Sequence, residues 1–460
     1  MQLTRLERFL RLFTDVRSGE GATALLMFAN VFLILCAYYF IKPLREGWIA
    51  ISDISELSKR EVKAYTSFGQ SLMLIPVIGL YARLSTRLSR RTLITAASLF
   101  FLSNMLTFWA LQPGVFFEYL PASGIVFYLW VGMFSVFVVA QFWTFAADIY
   151  TDEKGRRLLP MIAIGATAGA AAGSGIAERL VAWEIVPTEH LLLAATLPLG
   201  ISIAISRYVD SRSGTQGAGP AARPAAKKKP SAEKGALAAI LRHPFLLVTA
   251  ALTLLFSWVN TNGENLLFSV VQEFLGGEAA QAGVTDQTAV LEFTRAGTTA
   301  FYSNFYFWVN GIALLLQAFV CSRLLKFGGF GAILLMLPVI SLLSYSAMAL
   351  VPVLAVVKWM KVAENATDYS IHNTARHVLW LPVSSELKFK GKPAIDTFIV
   401  RTGDGFAALT VLVGERLLHF STQGFAAFNV ALVIAWLGVA LSLVQQHGHL
   451  ATEASVDAAA

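Results

Sequence analysis

Apolar runs about twenty residues long recur along the whole chain, and nothing else constrains its fold as tightly. A helix of that length covers the roughly 30 Å hydrocarbon core of a bilayer. In lipid every backbone polar group must be satisfied internally, which a helix does on its own. The runs place spans at 22–45, 66–83, 92–111, 123–148, 159–181, 188–206, 244–268, 302–322, 330–349, 353–378, 394–416 and 422–444. The composition agrees, with 56% hydrophobic and 14% charged residues in 460, where a soluble protein would carry about 25% charged. The fold class expected is all-α integral membrane, with twelve transmembrane helices in two six-helix halves. Cys36 and Cys321 both lie inside apolar runs and read as packing residues. The first run starts near Ala22 at full length, so no cleavable signal peptide is expected.

The net charge of +7 does not point to nucleic acid, because the excess sits in loops and sets topology. Residues 1–20 are amphipathic, with Leu3, Leu6, Leu10 and Phe13 in one stripe and Arg5, Arg8 and Arg11 around it. Such a segment is expected to lie along the cytoplasmic membrane face. With a cytoplasmic N-terminus, the even-numbered connections carry Arg83, Arg87, Arg90 and Arg91, then Lys154, Arg156 and Arg157, then Arg323 and Lys326, then Lys388, Lys390 and Lys392. That is the positive-inside pattern, and it places both termini in the cytoplasm, with a bacterial inner membrane the expected location. Only Lys59, Arg60 and Lys63, in the loop after the first span, run against it.

Residues 211–243 are rich in Ala, Pro, Gly and Lys without apolar period, and read as a disordered cytoplasmic linker with Lys227, Lys228 and Lys229 near anionic lipid. It separates a half at 21–210 from a half at 244–445, and a disordered tail is expected at 446–460. The halves share a short pattern: Ala146-Ala147-Asp148 with Arg156 and Pro160, and Ala366-Thr367-Asp368 with Arg376 and Pro382. Parallel six-helix repeats would leave such a trace. Gly165, Gly169 and Gly173 make a flat ridge on span five, which fits static packing and a sliding surface equally. The stretch 276–300 reads as the longest outer loop.

Ionisable residues inside spans carry the functional signal, since each costs roughly 2.5–3.5 kcal/mol at mid-bilayer. On span ten, Lys361, Asn365, Asp368, His372 and Arg376 follow one another at steps of four, three, four and four, which puts them on one helix face. Span one holds Lys42, Arg45 and Glu46 within a continuing apolar run; span four ends at Asp148; span seven carries Asn260, Asn262, Glu264 and Asn265. Span ten adds Lys358 and Glu364, and span eleven has Asp396, Arg401 and Asp404 after a turn containing Lys392. Salt bridges could satisfy much of this inventory, and surplus cations would attract a multiply charged anion such as a phosphate.

Several of these stretches resemble the ATP/ADP translocase family of plastids and intracellular bacteria, a relative of the major facilitator fold. The most specific is K-G-K-P-A-I-D-T-F at Lys390–Phe398, similar to the family's K-x-K-A-A-I-D. Others are A-E-N-A-T-D-Y-S-I-H-N-T-A-R at Ala363–Arg376, L-P-V-S-S-E-L-K at Leu381–Lys388, Q-F-W-T-F-A-A-D at Gln141–Asp148, and K-P-L-R-E at Lys42–Glu46. The chain departs from the family where Arg45-Glu46 stands for Lys-Asp and Ala147 for Asn. It departs again where Phe268 takes the place of a lysine four residues after the span-seven acid. The resemblance implies a carrier of the bacterial branch, working by alternating access on an anionic, phosphate-bearing metabolite, with nucleotide exchange the leading class.

In that reading Lys42, Arg45, Asp148, Glu264, Lys361, Asp368 and Arg401 line the substrate site. Glu46, Glu364, Arg376, Lys392 and Asp396 form gating or ion-pair contacts, and cations from both halves converge on one anion. The partners expected are the small-molecule anion and the lipid bilayer, without nucleic acid, cofactor or metal, for a monomer. No Walker loop, metal-ligand spacing or nucleophile elbow suggests an enzyme. A proton-coupled carrier of another solute, and a non-transporting membrane scaffold or sensor of the same fold, are the alternatives.

Overall fold

The computed structural model describes residues 5–11, 14, 16–88, 90–112, 122–150, 152–215 and 240–459, and a helix stands at each of the twelve expected spans. Among the described residues there is no strand. A short α1 (Arg5–Leu10) precedes α2 (Gly21–Ile51), α3 (Lys59–Arg87), α4 (Arg90–Leu111), α5 (Ser123–Ile149), α6 (Asp152–Ala182) and α7 (Leu191–Thr215). The second half holds α8 (Pro244–Gln281), α9 (Gln287–Leu315), α10 (Cys321–Leu350), α11 (Leu354–Thr367), α12 (Asn373–Val378), α13 (Ser385–Ala394), α14 (Val400–Arg416) and α15 (Thr422–Ala459). Nine helical stretches among the described residues are long and apolar enough to cross a membrane by length and composition; the one at 287–350 contains two expected spans. Gly329, at φ 66°, breaks α10 between those two.

Several helices outrun the expected spans, for local reasons. The supposed loop at 276–300 is nearly all helix. Gly283 takes φ 69° just past the end of α8, and Val284 N–H reaches back to the Ala279 carbonyl at 3.1 Å, closing the helix in a left-handed cap. Asp286 then accepts the Ala289 N–H at 2.9 Å and starts α9. α7 continues to Thr215, past the expected start of the linker, whose residues 216–239 lie outside the described ones, Lys227–Lys229 included. The expected disordered tail is also helical: α15 runs to Ala459 through an Ala-rich stretch without proline. The loop after the first span shrinks as well. Ser58 and Glu61 form a capping box, with Ser58 N–H on Glu61 Oε2 at 2.8 Å and Glu61 N–H on Ser58 Oγ at 3.1 Å, so Lys59, Arg60 and Lys63 belong to α3.

The chain forms two compact units that follow its halves except for two exchanged segments. One takes Met1–Ile54, Met73–Ala225 and Asp286–Asn310; the other takes Ser55–Leu72, Ala226–Thr285 and Gly311–Ala460. In the first unit α2 is the central element, buried along one side from Ala24 to Ala50, with Trp48, Phe127, Trp130 and Phe134 at the core. The glycine ridge of α6 lies on α2. A Cβ at Gly165 would sit 2.7 Å from the Phe28 carbonyl, one at Gly173 2.7 Å from Cys36 Cα, and one at Gly169 would overlap the Phe32 backbone. The ridge therefore serves packing inside one unit. The N-terminal segment also docks on protein: Val16 is buried with Ala24, Leu158 and Met161, and Glu20 accepts two hydrogen bonds from Arg157 at 3.1 Å. Burial pushes the Glu20 carboxyl up, but the bonds from Arg157 and the Arg17 amide outweigh it and hold it below its usual range.

In the second unit α8 packs against α14 and α15, and α10 against α11 and α15. Tyr345 and Trp436 are among its largest fully buried side chains.

Candidate functional site

The five polar residues of span ten do not keep one face. α11 passes into a π-helical turn at Asp368–His372 before α12 resumes. The extra residue of a π turn rotates everything downstream by about 100°, and such turns gather at functional positions. Lys361 and Asn365 therefore face one cluster while His372 and Arg376 face another. A second π turn at Ile395–Ile399 carries Asp396.

Lys361 is the centre of the first cluster and is 0% exposed. Its Nζ lies 2.8 Å from Glu364 Oε2 and 3.5 Å from Glu264 Oε1. The two carboxylates are held unequally. Glu364, 3% exposed, also accepts from the Tyr345 hydroxyl at 3.0 Å and the Ser341 hydroxyl at 3.1 Å. Glu264, 25% exposed, accepts from Asn365 Nδ2 at 2.8 Å. Gly263 makes the cluster possible, since a Cβ there would overlap the Tyr345 hydroxyl and lie 2.9 Å from Lys361 Nζ. On the next turn of α8, Phe268 packs under Lys63 of α3, whose Nζ sits 4.5 Å over the ring and whose side chain is 2% exposed. Asn262 and Asn429 complete the wall, bonded to each other at 3.0 Å, with Asn429 also on the Val259 carbonyl at 3.2 Å.

Arg401 pairs with Asp404 at 3.3 Å and donates to the Ser71 hydroxyl at 3.1 Å. Asp404 additionally accepts from Ser257 at 3.1 Å and Thr261 at 2.8 Å, so it is the partner of Arg401. Asp396 instead joins Lys392 at 2.6 Å and Arg376 at 3.6 Å. His372 lies tilted against Phe256, with centroids 4.7 Å apart, and edge-on to Trp436. Asp368 has no ion pair among the described residues, and the charges of Arg376 and Lys361 act on it at longer range. At the start of α3, Arg60 bonds Glu415 at 2.8 Å and Ser269 at 2.7 Å, and Arg416 bonds Glu61 at 2.7 Å.

In the first unit, Lys42 and Arg45 lie against tyrosine rings. Lys42 and Arg45 share one face of α2 with Tyr38 and Tyr39. Lys42 Nζ lies 4.1 Å from the Tyr306 ring centroid, 5.2 Å from Tyr39 and 5.8 Å from Tyr38. The Arg45 guanidinium lies 4.3 Å over Tyr128 and pairs with Glu46, its Nε at 3.0 Å from Oε1. Asp148 ends α5 on an exposed position.

The structure thus brings together Lys361, Glu364 and Glu264 in one unit and Lys42, Arg45 and Glu46 in the other. Tyr345, Gly263, the burial of Lys63 and the tyrosines around Lys42 escaped the sequence, and Asp404 was legible as a charge in span eleven but not as the partner of Arg401. For Lys63 a signal existed: S-K-R-E at Ser58–Glu61 is a capping-box pattern that starts a helix. For Tyr345 and Gly263 none did, because only the folded contacts distinguish them.

Helices and charges of this kind define an all-α, multi-pass membrane protein with the fold of major-facilitator-like transporters. Among solved structures, the chain is similar to a POT family transporter in complex with a thioalcohol-conjugated peptide, at TM-score 0.62 and 12% identity over 94% of this chain and 97% of that one. It is also similar to the nucleoside transporter NupG, at TM-score 0.56 and 14% identity over 91% and 98%. Residues 328–447 match the family described as TLC ATP/ADP transporter. Over 437 residues the chain is 23% identical to ADP,ATP carrier protein 1 of Chlamydia muridarum, covering 79% of this chain and 77% of that protein. To the chloroplastic ADP,ATP carrier protein 1 of Arabidopsis thaliana it is 22% identical, over 70% of this chain and 54% of that protein. The family that the sequence motifs resemble is the family these relatives represent.

Proposed function

We propose that this chain is an alternating-access exchanger of nucleotides and that Lys361 binds their phosphates. The observation that carries this is the unequal hold of two carboxylates on one buried lysine. An unpaired ammonium inside a membrane protein costs several kcal/mol. Glu364, fixed by Tyr345 and Ser341, keeps Lys361 in place. Glu264, more exposed and farther off, can yield to a competing anion. The cluster carries one positive and two negative charges, so an incoming phosphate must displace Glu264 or meet it protonated. Either event links loading to a change on α8. Lys42, Arg45 and Arg401 are the further anion-binding cations, and Arg376, Lys392 and Asp396 form a separate ion-pair group. The protein acts as a monomer in a bacterial inner membrane with both termini cytoplasmic, and catalyses no covalent chemistry.

The excess of carboxylates also favours a second reading, a proton-coupled carrier in which Glu264 takes up the proton. Counterflow of labelled ATP in liposomes separates the two, because exchange needs internal nucleotide and symport needs an imposed proton gradient. Lys361→Gln should abolish counterflow and weaken binding by about 1.5–3 kcal/mol, the range for a charged hydrogen bond. Lys361→Arg should keep part of both, since charge survives with altered geometry. Parent-like transport and binding by Lys361→Gln would show that the cluster is a structural ion-pair network.

A further inference from the structure

Lys42 and Arg45 of the first unit lie on tyrosine faces, while Lys361 of the second sits among carboxylates, with no ring face beneath it among the described residues. The contrast has chemical content. A phosphate can use a tyrosine's hydroxyl but gains nothing from its ring face. A nucleotide carries a heteroaromatic base as well as its phosphates, and bases stack on aromatic side chains whatever their identity.

Four tyrosines from three helices gather around Lys42 and Arg45: Tyr38 and Tyr39 from α2, Tyr128 from α5 and Tyr306 from α9. Tyr38 and Tyr39 precede Lys42 by four and three residues, so they share its helix face. Tyr39 and Tyr306 meet edge to face with centroids 5.8 Å apart and form a corner, and Lys42 Nζ occupies it 4.1 Å from the Tyr306 ring. Tyr306 is 1% exposed in this arrangement. A cation and a base compete for the same ring face, because both are drawn to its π-electrons.

We propose that the Tyr39–Tyr306 corner is a base-binding subsite for which Lys42 holds the place. When a nucleotide binds, its phosphates draw Lys42 off the ring and its base takes the face that Lys42 leaves. Arg45, kept on Tyr128 and Glu46, stays behind as the fixed member of the pair. The subsite thereby selects anions that carry an aromatic ring over those that do not. This rests on the nucleotide-exchange reading and adds to it the residues that meet the base.

The test compares ATP with inorganic triphosphate, which has the charge without the ring, by equilibrium binding to the purified chain in detergent. Tyr306→Leu should weaken ATP about tenfold or more and leave triphosphate within about twofold. Tyr306→Phe should bind ATP like the parent, because the face and not the hydroxyl is used. Tyr39→Leu is the second variant, read in the same way should Tyr306→Leu fail to melt like the parent. GTP and UTP should lose affinity along with ATP in the leucine variants, since stacking tolerates any base. Equal losses for ATP and triphosphate, or no loss for ATP, would overturn the base subsite while leaving anion transport standing. A parent chain that binds neither ligand would overturn the nucleotide reading itself, and the subsite with it.

Discussion

At the scale of single residues, a buried lysine has to be answered by charge, and Lys361 is answered twice. The two answers should come apart under mutation. Glu264→Gln leaves Lys361 paired with Glu364 and removes the competing negative charge. It should melt like the parent and bind ATP about tenfold more tightly, a change of 1.4 kcal/mol, while counterflow slows because displacement of Glu264 no longer accompanies loading. Weaker binding would mean that Glu264 touches substrate directly. Glu364→Gln leaves the ammonium with its poorer partner and should destabilise the chain by about 3–5 kcal/mol, the cost of breaking a buried pair, seen as a lower melting temperature. Gly263→Ala should disturb the same cluster without altering any charge. Its Cβ would push on the Tyr345 hydroxyl, and the resulting overpacking costs about 1–3 kcal/mol. An alanine variant that melts and transports like the parent would show that Tyr345 is free to move.

At the scale of elements, the sequence revealed where the helices are and misjudged how they end and turn. The apolar runs located a helix at each expected span because bilayer thickness sets one length for all of them. Caps and π turns depend on a few local contacts and leave little periodicity. So the Ser58–Glu61 box, the Gly283 cap and the extra residue at Asp368–His372 were not read, and with them went the true neighbours of Lys63 and Arg376. The ion pairs were legible only as a list of charges, since partners such as Arg401 and Asp404 share a helix with other candidates at similar spacing. The glycine ridge of α6 was legible as a close-packing surface, and its partner only in the fold. Gly169→Ala should push α6 from the Phe32 backbone of α2 and destabilise the chain by about 1–3 kcal/mol. Gly277→Ala, where a Cβ meets nothing within 4 Å, should stay within about 0.5 kcal/mol. Thermal melts of both variants in one detergent decide it, and equal melting temperatures would deny the ridge its packing role.

At the scale of the whole molecule, orientation follows from the basic residues that are free to act on insertion. The first outer connection seemed to oppose the rule with Lys59, Arg60 and Lys63. The structure moves all three into α3. There Arg60 is paired with Glu415, and Lys63 is buried over Phe268. The bias of the remaining loops then points one way: on the proposed topology the stretches around Lys154 and Arg157, around Arg323 and Lys326, and around Lys388 and Lys392 share a side with both termini. On that topology the turn between α8 and α9 is expected on the opposite side, because one crossing separates it from the linker that precedes α8. Single cysteines at Gly217 and Gly277 test this directly. Gly277 suits a probe, since added atoms there meet no neighbour. In intact cells a membrane-impermeant maleimide should label Gly277→Cys and spare Gly217→Cys, and permeabilised cells should label both. Labelling of both from outside, or of Gly217→Cys alone, would invert or break the proposed topology. It would also move the ends of α8 that flank Glu264 to the wrong faces of the membrane for a cytoplasmic linker.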